Sequence, residues 1–237
     1  MKQIKGILFD YGGTLDTPGR HWAHVLWKGY REACIPVEEN DFRDAYVYGE
    51  RAMATSPLVR PQDTFRDILN YKITFQTTYL RENGCWICNE TQCQQAVEAI
   101  TAYCDTYARR MTERNSRVLD SLYGHYPMAL VTNFYGNISA VLREYGLDRF
   151  FCDVIESARV GVRKPDPEIY RLGVEVLSLR PEQVLVVGDS YEKDIRPASV
   201  LGCRTAWLKG EGWNPEPPGD RIADVVLADL SDLNDYL

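Results

Sequence analysis

Asp10 ends the strand-like run Ile4–Phe9 and is followed at once by Tyr11-Gly12-Gly13-Thr14-Leu15-Asp16. A carboxylate at the C-terminal tip of a buried strand stands where open α/β sheets bind their ligands, and glycines directly after it allow close backbone approach. Three further stretches hold complementary groups. Met128–Val131 leads into Thr132-Asn133, a hydroxyl and an amide. Gly161-Val162-Arg163-Lys164-Pro165-Asp166-Pro167 sets a lysine just ahead of prolines suited to starting a helix, and Val184–Val187 leads into Gly188-Asp189-Ser190, with Asp194 five residues beyond Asp189. Taken singly each has an ordinary reading: Asp-Gly is common in turns, lysines sit on surfaces, and acids favour helix N-termini. Taken together, a nucleophilic carboxylate, a hydroxyl, a cation and two more carboxylates make a set suited to phosphoryl transfer, provided one sheet edge gathers them.

The elements that would gather them can be read from the apolar pattern. Ile4–Phe9, Met128–Val131, Val184–Val187 and Asp224–Leu227 have the length and content of buried parallel strands, with Cys203–Leu208 a fifth. Helical patterns fill Asn137–Tyr145, Pro167–Leu177 and Glu192–Val200, so strand and helix alternate as a Rossmann-like, doubly wound α/β domain requires. Residues 18–110 differ. Trp22, Val25, Leu26 and Tyr30, then Phe42, Ala45 and Tyr46, then Phe65, Ile68 and Leu69, then Val97, Ile100, Cys104 and Tyr107 follow helical spacing, with breakers at Pro36, Pro57, Pro61 and Asn83-Gly84. The expected organisation is an α/β core of residues 1–17 and 111–237, interrupted by an all-helical insertion of four or five helices over 18–110.

Composition removes several functions. The 237 residues carry 27 basic and 34 acidic side chains, a net charge of -7, and no basic run that would offset repulsion from a nucleic-acid backbone. Apolar runs do not exceed four residues and the N-terminus leads straight into a strand, so neither a membrane span nor a signal peptide is expected, and the expected compartment is cytoplasmic. Seven cysteines, an odd number, do not suggest a disulfide framework. Cys85, Cys88, Cys93 and Cys104 start with a CxxC spacing able to hold zinc, but lack the second pair or histidine that completes a compact site, and helix packing is the plainer reading.

In order and spacing, Asp10 with its Gly-Thr-Leu turn, Thr132, Lys164 with Pro-Asp-Pro, and Gly188-Asp189 with Asp194 resemble the four motifs of the haloacid dehalogenase-like (HAD) hydrolases, and the insertion after the first strand resembles that family's mobile helical cap. The resemblance spans the chain. It implies a Mg²⁺-dependent phosphatase of small phosphorylated metabolites in which Asp10 becomes a transient aspartyl-phosphate. It further implies that Asp10, the Gly12 carbonyl and Asp189 bind the metal, that Asp194 orients a metal water or pairs with Lys164, that Lys164 holds the nucleophile and phosphoryl charge, and that Thr132 and Asn133 donate to the transferring oxygens. Mg²⁺ suits few carboxylates plus substrate oxygen and water.

One position departs from the pattern. Phosphatases of the family carry a second aspartate two residues after the nucleophile, as general acid and base, and here that residue is Gly12. Three readings follow: a phosphatase with a surrogate acid or a preference for good leaving groups; a phosphonatase-like C–P hydrolase using a cap lysine, Lys28 or Lys72, as Schiff-base amine; and a non-catalytic phosphate- and metal-binding protein. His21, near the hinge, is the candidate surrogate acid because imidazole titrates near neutral pH. Asp16 reads as a turn residue, and Trp22, Trp27 and Tyr30 as either cleft-facing or core.

Overall fold

The computed structural model describes residues 4–212 and 223–237. Six parallel strands form one sheet in the order β3-β2-β1-β4-β5-β6, where β1 is Gly6–Phe9, β2 Met128–Thr132, β3 Asp153–Glu156, β4 Val184–Gly188, β5 Arg204–Leu208 and β6 Val225–Leu227. Every residue of β1, β2 and β4 is buried, which is why their sequences are unbroken apolar runs. These three are legible for that reason, and β5 and β6 by short apolar runs although Arg204 and Val226 are exposed. The sixth, β3, escaped the pattern: it lies at the sheet edge with Asp153 exposed and Val154 half-buried, so it carries no apolar run.

Helices cover both faces of this sheet. In chain order they are α1 (Trp22–Glu32), α2 (Glu39–Thr55), α3 (Phe65–Glu82), α4 (Glu90–Leu122), α5 (Ile138–Glu144), the single turn α6 (Ser157–Val160), α7 (Glu168–Val176) and α8 (Arg196–Leu201). The first three and the N-terminal part of α4 build the inserted cap. The α3 start is fixed by a capping box, in which Thr64 Oγ1 accepts from Asp67 N at 3.2 Å and Asp67 Oδ2 accepts from Thr64 N at 2.8 Å. A second box joins Asn89 and Gln92 at the start of α4. Burial of Phe65, Ile68, Leu69, Ile73, Gln76, Thr77 and Leu80 marks the inner face of α3.

Residues 110 and 111, the expected boundary between cap and core, lie inside α4. This 33-residue helix, ~50 Å long at 1.5 Å per residue, runs unbroken from one region into the other. Further ties hold the cap on the sheet. Glu144 accepts from the backbone N–H of Phe65 at 3.0 Å and from Arg109 at 2.8 Å, and Asn137 Nδ2 donates to the Asp63 carbonyl at 2.8 Å.

Candidate active site

Because β1 pairs with β2 on one side and β4 on the other, the three central strands end side by side, and the loops after them face one cavity. Asp10, Thr132, Asn133, Lys164, Asp189 and Asp194 all line it, as do Gly12 and His21. The motifs separated by more than 100 residues in sequence therefore meet.

Lys164 is the hub. Its ammonium lies 2.5 Å from Asp10 Oδ1 and 2.7 Å from Asp194 Oδ1, buried with both. Burial would lower the lysine pKa, but the two carboxylates reverse that and raise it, so the ammonium stays charged. Asn133 fixes this lysine from below: its Oδ1 accepts from the Lys164 backbone N–H at 2.9 Å and its Nδ2 donates to the Lys164 carbonyl at 3.1 Å. The side-chain amide expected to reach substrate is thus engaged with the lysine main chain. Thr132 is buried, lines the cavity, and its hydroxyl has no hydrogen-bond partner among the described residues.

Asp10 is held at both oxygens, since Thr14 Oγ1 donates to Oδ2 at 3.1 Å. The turn that brings Thr14 back depends on Gly13, whose φ of +94° favours glycine; a Cβ there would stand 2.3 Å from Asp189 Oδ2. Gly188 is equally tight, because a Cβ would lie 2.5 Å from Asp194 Cβ and Cγ. Asp194 itself belongs to a π-helical turn, Tyr191–Ile195, that runs into α8, and its Oδ2 accepts from Ser190 N at 3.0 Å. With Oδ1 taken by Lys164 and also by Tyr170 OH at 2.7 Å, Asp194 is fully engaged.

Asp189 is different. Trp207 Nε1 donates to its carbonyl at 2.8 Å, but its carboxylate has no hydrogen-bond partner among the described residues. Burial, with Asp10 and Asp194 adding like charge, pushes its pKa well above the ordinary carboxylate range, and burial likewise raises Asp10 despite Lys164. Oxygens of Asp10, Asp189 and Asp194 lie within 4.8 Å of one another. Three carboxylates thus face one ammonium, a deficit of positive charge that a divalent cation would correct, and the all-oxygen donor set fits a hard ion.

Residues 4–202 match the family model described as a haloacid dehalogenase-like hydrolase. The chain belongs to the haloacid dehalogenase-like hydrolase family. Among curated relatives it is similar to a phosphoserine phosphatase of Thermus thermophilus, 34% identical over 107 residues covering 45% of this chain and 42% of that protein. It is similar also to a glyceraldehyde 3-phosphate phosphatase of Methanocaldococcus jannaschii, 37% identical over 93 residues, 39% of this chain and 40% of that one. The chain thus spans less than half the length of these two relatives. Solved structures agree in fold over nearly their full length: a dehalogenase with an intermediate complex, at TM-score 0.68 and 17% identity, covering 99% of this chain and 97% of that one, and the magnesium-bound HAD-hydrolase YfnB of Bacillus subtilis, at 0.61 and 19%, covering 99% and 98%.

Several residues of this HAD-like hydrolase stand differently from expectation. His21 lines the cavity, but its Nδ1 accepts from Ala23 N at 3.3 Å as the N-cap of α1, and burial with nearby Lys193 lowers its pKa to about 4. The imidazole is neutral at physiological pH, a poor state for an acid. Asp16 is buried between Gly13 N, at 2.7 Å, and Trp22 Nε1, at 2.8 Å, and burial raises its pKa to about 7, so this turn residue also ties the loop after β1 to the cap. Trp22 faces the cavity, whereas Trp27 and Tyr30 pack on Phe42 in the core with ring centroids 5.1 and 5.2 Å away. Cys85, Cys88, Cys93 and Cys104 are free thiols, and among the described residues the only metal-capable group of three or more is the aspartate trio.

Thr14, Tyr170, Glu50 and Tyr135 were not singled out from sequence. Tyr170 carried a usable signal: it lies in the buried stripe Ile169, Tyr170, Gly173 and Val174 of α7, six residues after Lys164, and a buried phenol needs a hydrogen-bond partner.

Proposed function

We propose that this chain is a Mg²⁺-dependent phosphatase of small phosphorylated metabolites, with Asp10 as nucleophile. The observation that carries the reading is the arrangement of Asp10, Lys164, Thr132 and Asp189 around one cavity, with three carboxylates against a single cation. A divalent ion held by Asp10, Asp189 and the Gly12 carbonyl would offset repulsion between carboxylate and phosphate. Lys164 and Thr132 would hold the phosphoryl oxygens as charge shifts onto them. An Asp10 oxygen bonds to phosphorus while the bond to the leaving oxygen breaks; the electron pair goes to that oxygen, which takes a proton from solvent. Water then attacks phosphorus, freeing phosphate and restoring the carboxylate.

With Gly12 in place of the usual acid and His21 neutral, the leaving oxygen receives no strong protein acid, which favours substrates whose leaving groups need little protonation. The phosphonatase reading loses support at its amine. Lys28 is exposed, and Lys72 is held as an ammonium by Glu50 2.6 Å away. The test is phosphate release from p-nitrophenyl phosphate with Mg²⁺ and with EDTA. Release that requires Mg²⁺ is expected; none under either condition would favour a protein that only binds phosphate.

A further inference from the structure

The cavity above Asp10 has a volume of about 500 Å³, so it has room for an organic group beyond the phosphate. Its cap side joins an apolar wall, formed by Trp22, Leu26, Phe65 and Leu69, to a pair of opposite charges, Glu50 from α2 and Lys72 from α3. Lys72 Nζ lies 2.6 Å from Glu50 Oε1 and 5.6 Å from the ring centroid of Tyr135, and the Tyr135 hydroxyl donates to Glu50 Oε2 at 3.4 Å. Tyr135 belongs to the loop after β2, so this wall is assembled from cap and core together. Glu50 keeps 35% of its side-chain surface accessible, and a ligand in the cavity can reach it.

Burial opposes the charge on each partner, yet Lys72 holds Glu50 below the ordinary carboxylate range and Glu50 holds Lys72 well above the ordinary amine range. The wall therefore stays ionised and net neutral. A substrate bearing a second bare anion would draw Lys72 away and leave the half-buried Glu50 carboxylate uncompensated, against the partial desolvation that already opposes its charge. Hydroxyl groups behave otherwise: each can accept from the ammonium and donate to the carboxylate without parting them. The C–H faces of a sugar ring also suit the aromatic side of the cavity at Trp22 and Phe65.

We propose that Glu50, Lys72 and Tyr135 form a polyol-binding wall that selects a sugar phosphate. This inference rests on the phosphatase reading above. Gly12 narrows it further, because the ring oxygen of a sugar makes the anomeric oxygen a better leaving group than a primary alkoxide, so among sugar phosphates an anomeric phosphate depends least on the missing acid.

The experiment compares kcat/KM for glucose 1-phosphate, phosphoserine and phosphoglycolate, each divided by kcat/KM for p-nitrophenyl phosphate, in the wild type, in the paired variant Glu50→Gln/Lys72→Met and in Tyr135→Phe. Glucose 1-phosphate is expected to lead. Its ratio should fall about 10- to 100-fold in the paired variant, the range for lost hydrogen bonds to charged groups, and less in Tyr135→Phe. A lead for phosphoserine or phosphoglycolate, or a glucose 1-phosphate ratio that the paired variant leaves intact, would overturn the wall. Calorimetry on Asp10→Asn with Mg²⁺ separates this from the hydrolase question. If glucose 1-phosphate binds more tightly than inorganic phosphate and loses that advantage in the paired variant, the wall stands even where turnover is absent; equal binding of the two removes it.

Discussion

The Tyr170 hydroxyl donates a 2.7 Å hydrogen bond to Asp194 Oδ1, the same oxygen that lies 2.7 Å from Lys164 Nζ. A buried phenol is thereby the far end of a chain that runs through Asp194 and Lys164 to Asp10, the proposed nucleophile. Tyr170 is a positioning residue, since it touches neither cavity nor substrate. Tyr170→Phe removes one hydrogen bond to a charged acceptor, and kcat for p-nitrophenyl phosphate should fall about tenfold with KM nearly unchanged. A merely structural role would lower the melting temperature and leave kcat alone, so steady-state kinetics alongside thermal unfolding decides between them.

Gly12 has open space around it. An ideal Cβ at this position meets nothing within 4 Å, and its φ lies outside the region reserved for glycine. Gly12→Asp should therefore fold normally and place a carboxyl beside the leaving oxygen. Turnover of alkyl phosphates is expected to rise by on the order of 10²-fold, the lower end of general acid catalysis, with a smaller change for p-nitrophenyl phosphate. Equal effects on both substrates would mean that the new carboxyl acts otherwise than as an acid.

Gly188 has no such space. In Gly188→Ala the new methyl would press on Asp194 Cβ and Cγ, atoms close to the backbone that cannot swing aside. Stability should fall by about 1–3 kcal/mol from overpacking, and activity should fall much further because Asp194 and Lys164 shift together. Urea unfolding and phosphate release measured on one preparation test both halves.

Asp16 gives the metal-free protein a pH dependence. Its pKa is raised to about 7, so between about pH 4 and 7 the folded chain keeps a proton that the unfolded chain has released. Stability contributed by Asp16 is therefore complete below about pH 4, declines as pH rises through that window, and levels above it. At about 1.4 kcal/mol per pH unit the decline amounts to a few kcal/mol. Asp16→Asn should flatten the profile of unfolding free energy against pH; an unchanged slope would assign the titration elsewhere.

Sequence made the centre of the fold legible and its periphery much less so. β1, β2 and β4 are buried on both faces, so their burial appears directly as apolar runs, and the polar residues after them stand out as candidates for a shared edge. The edge strand β3 has no such signature, and the run of α4 through residues 110 and 111 is hidden because the apolar stripe breaks there: after Ala108 the next buried positions are the polar Thr112 and Asn115. Side-chain chemistry divides similarly. Asp10 and Lys164 are marked by adjacent glycine and proline, whereas Asn133 has one spacing whether it faces substrate or grips the Lys164 backbone. Glu50 and Lys72 sit on separate helices, and only tertiary packing reveals that their charges meet.

The central claim is that Asp10 attacks phosphorus, and the most direct measurement is p-nitrophenyl phosphate turnover by Asp10→Asn with Mg²⁺ beside the wild type. The amide lacks the nucleophilic carboxylate, while Lys164, Thr132 and Asp189 remain. Phosphate release is predicted to fall by on the order of 10³-fold or more. A variant that keeps above about a tenth of wild-type turnover would contradict the assignment of Asp10 as nucleophile.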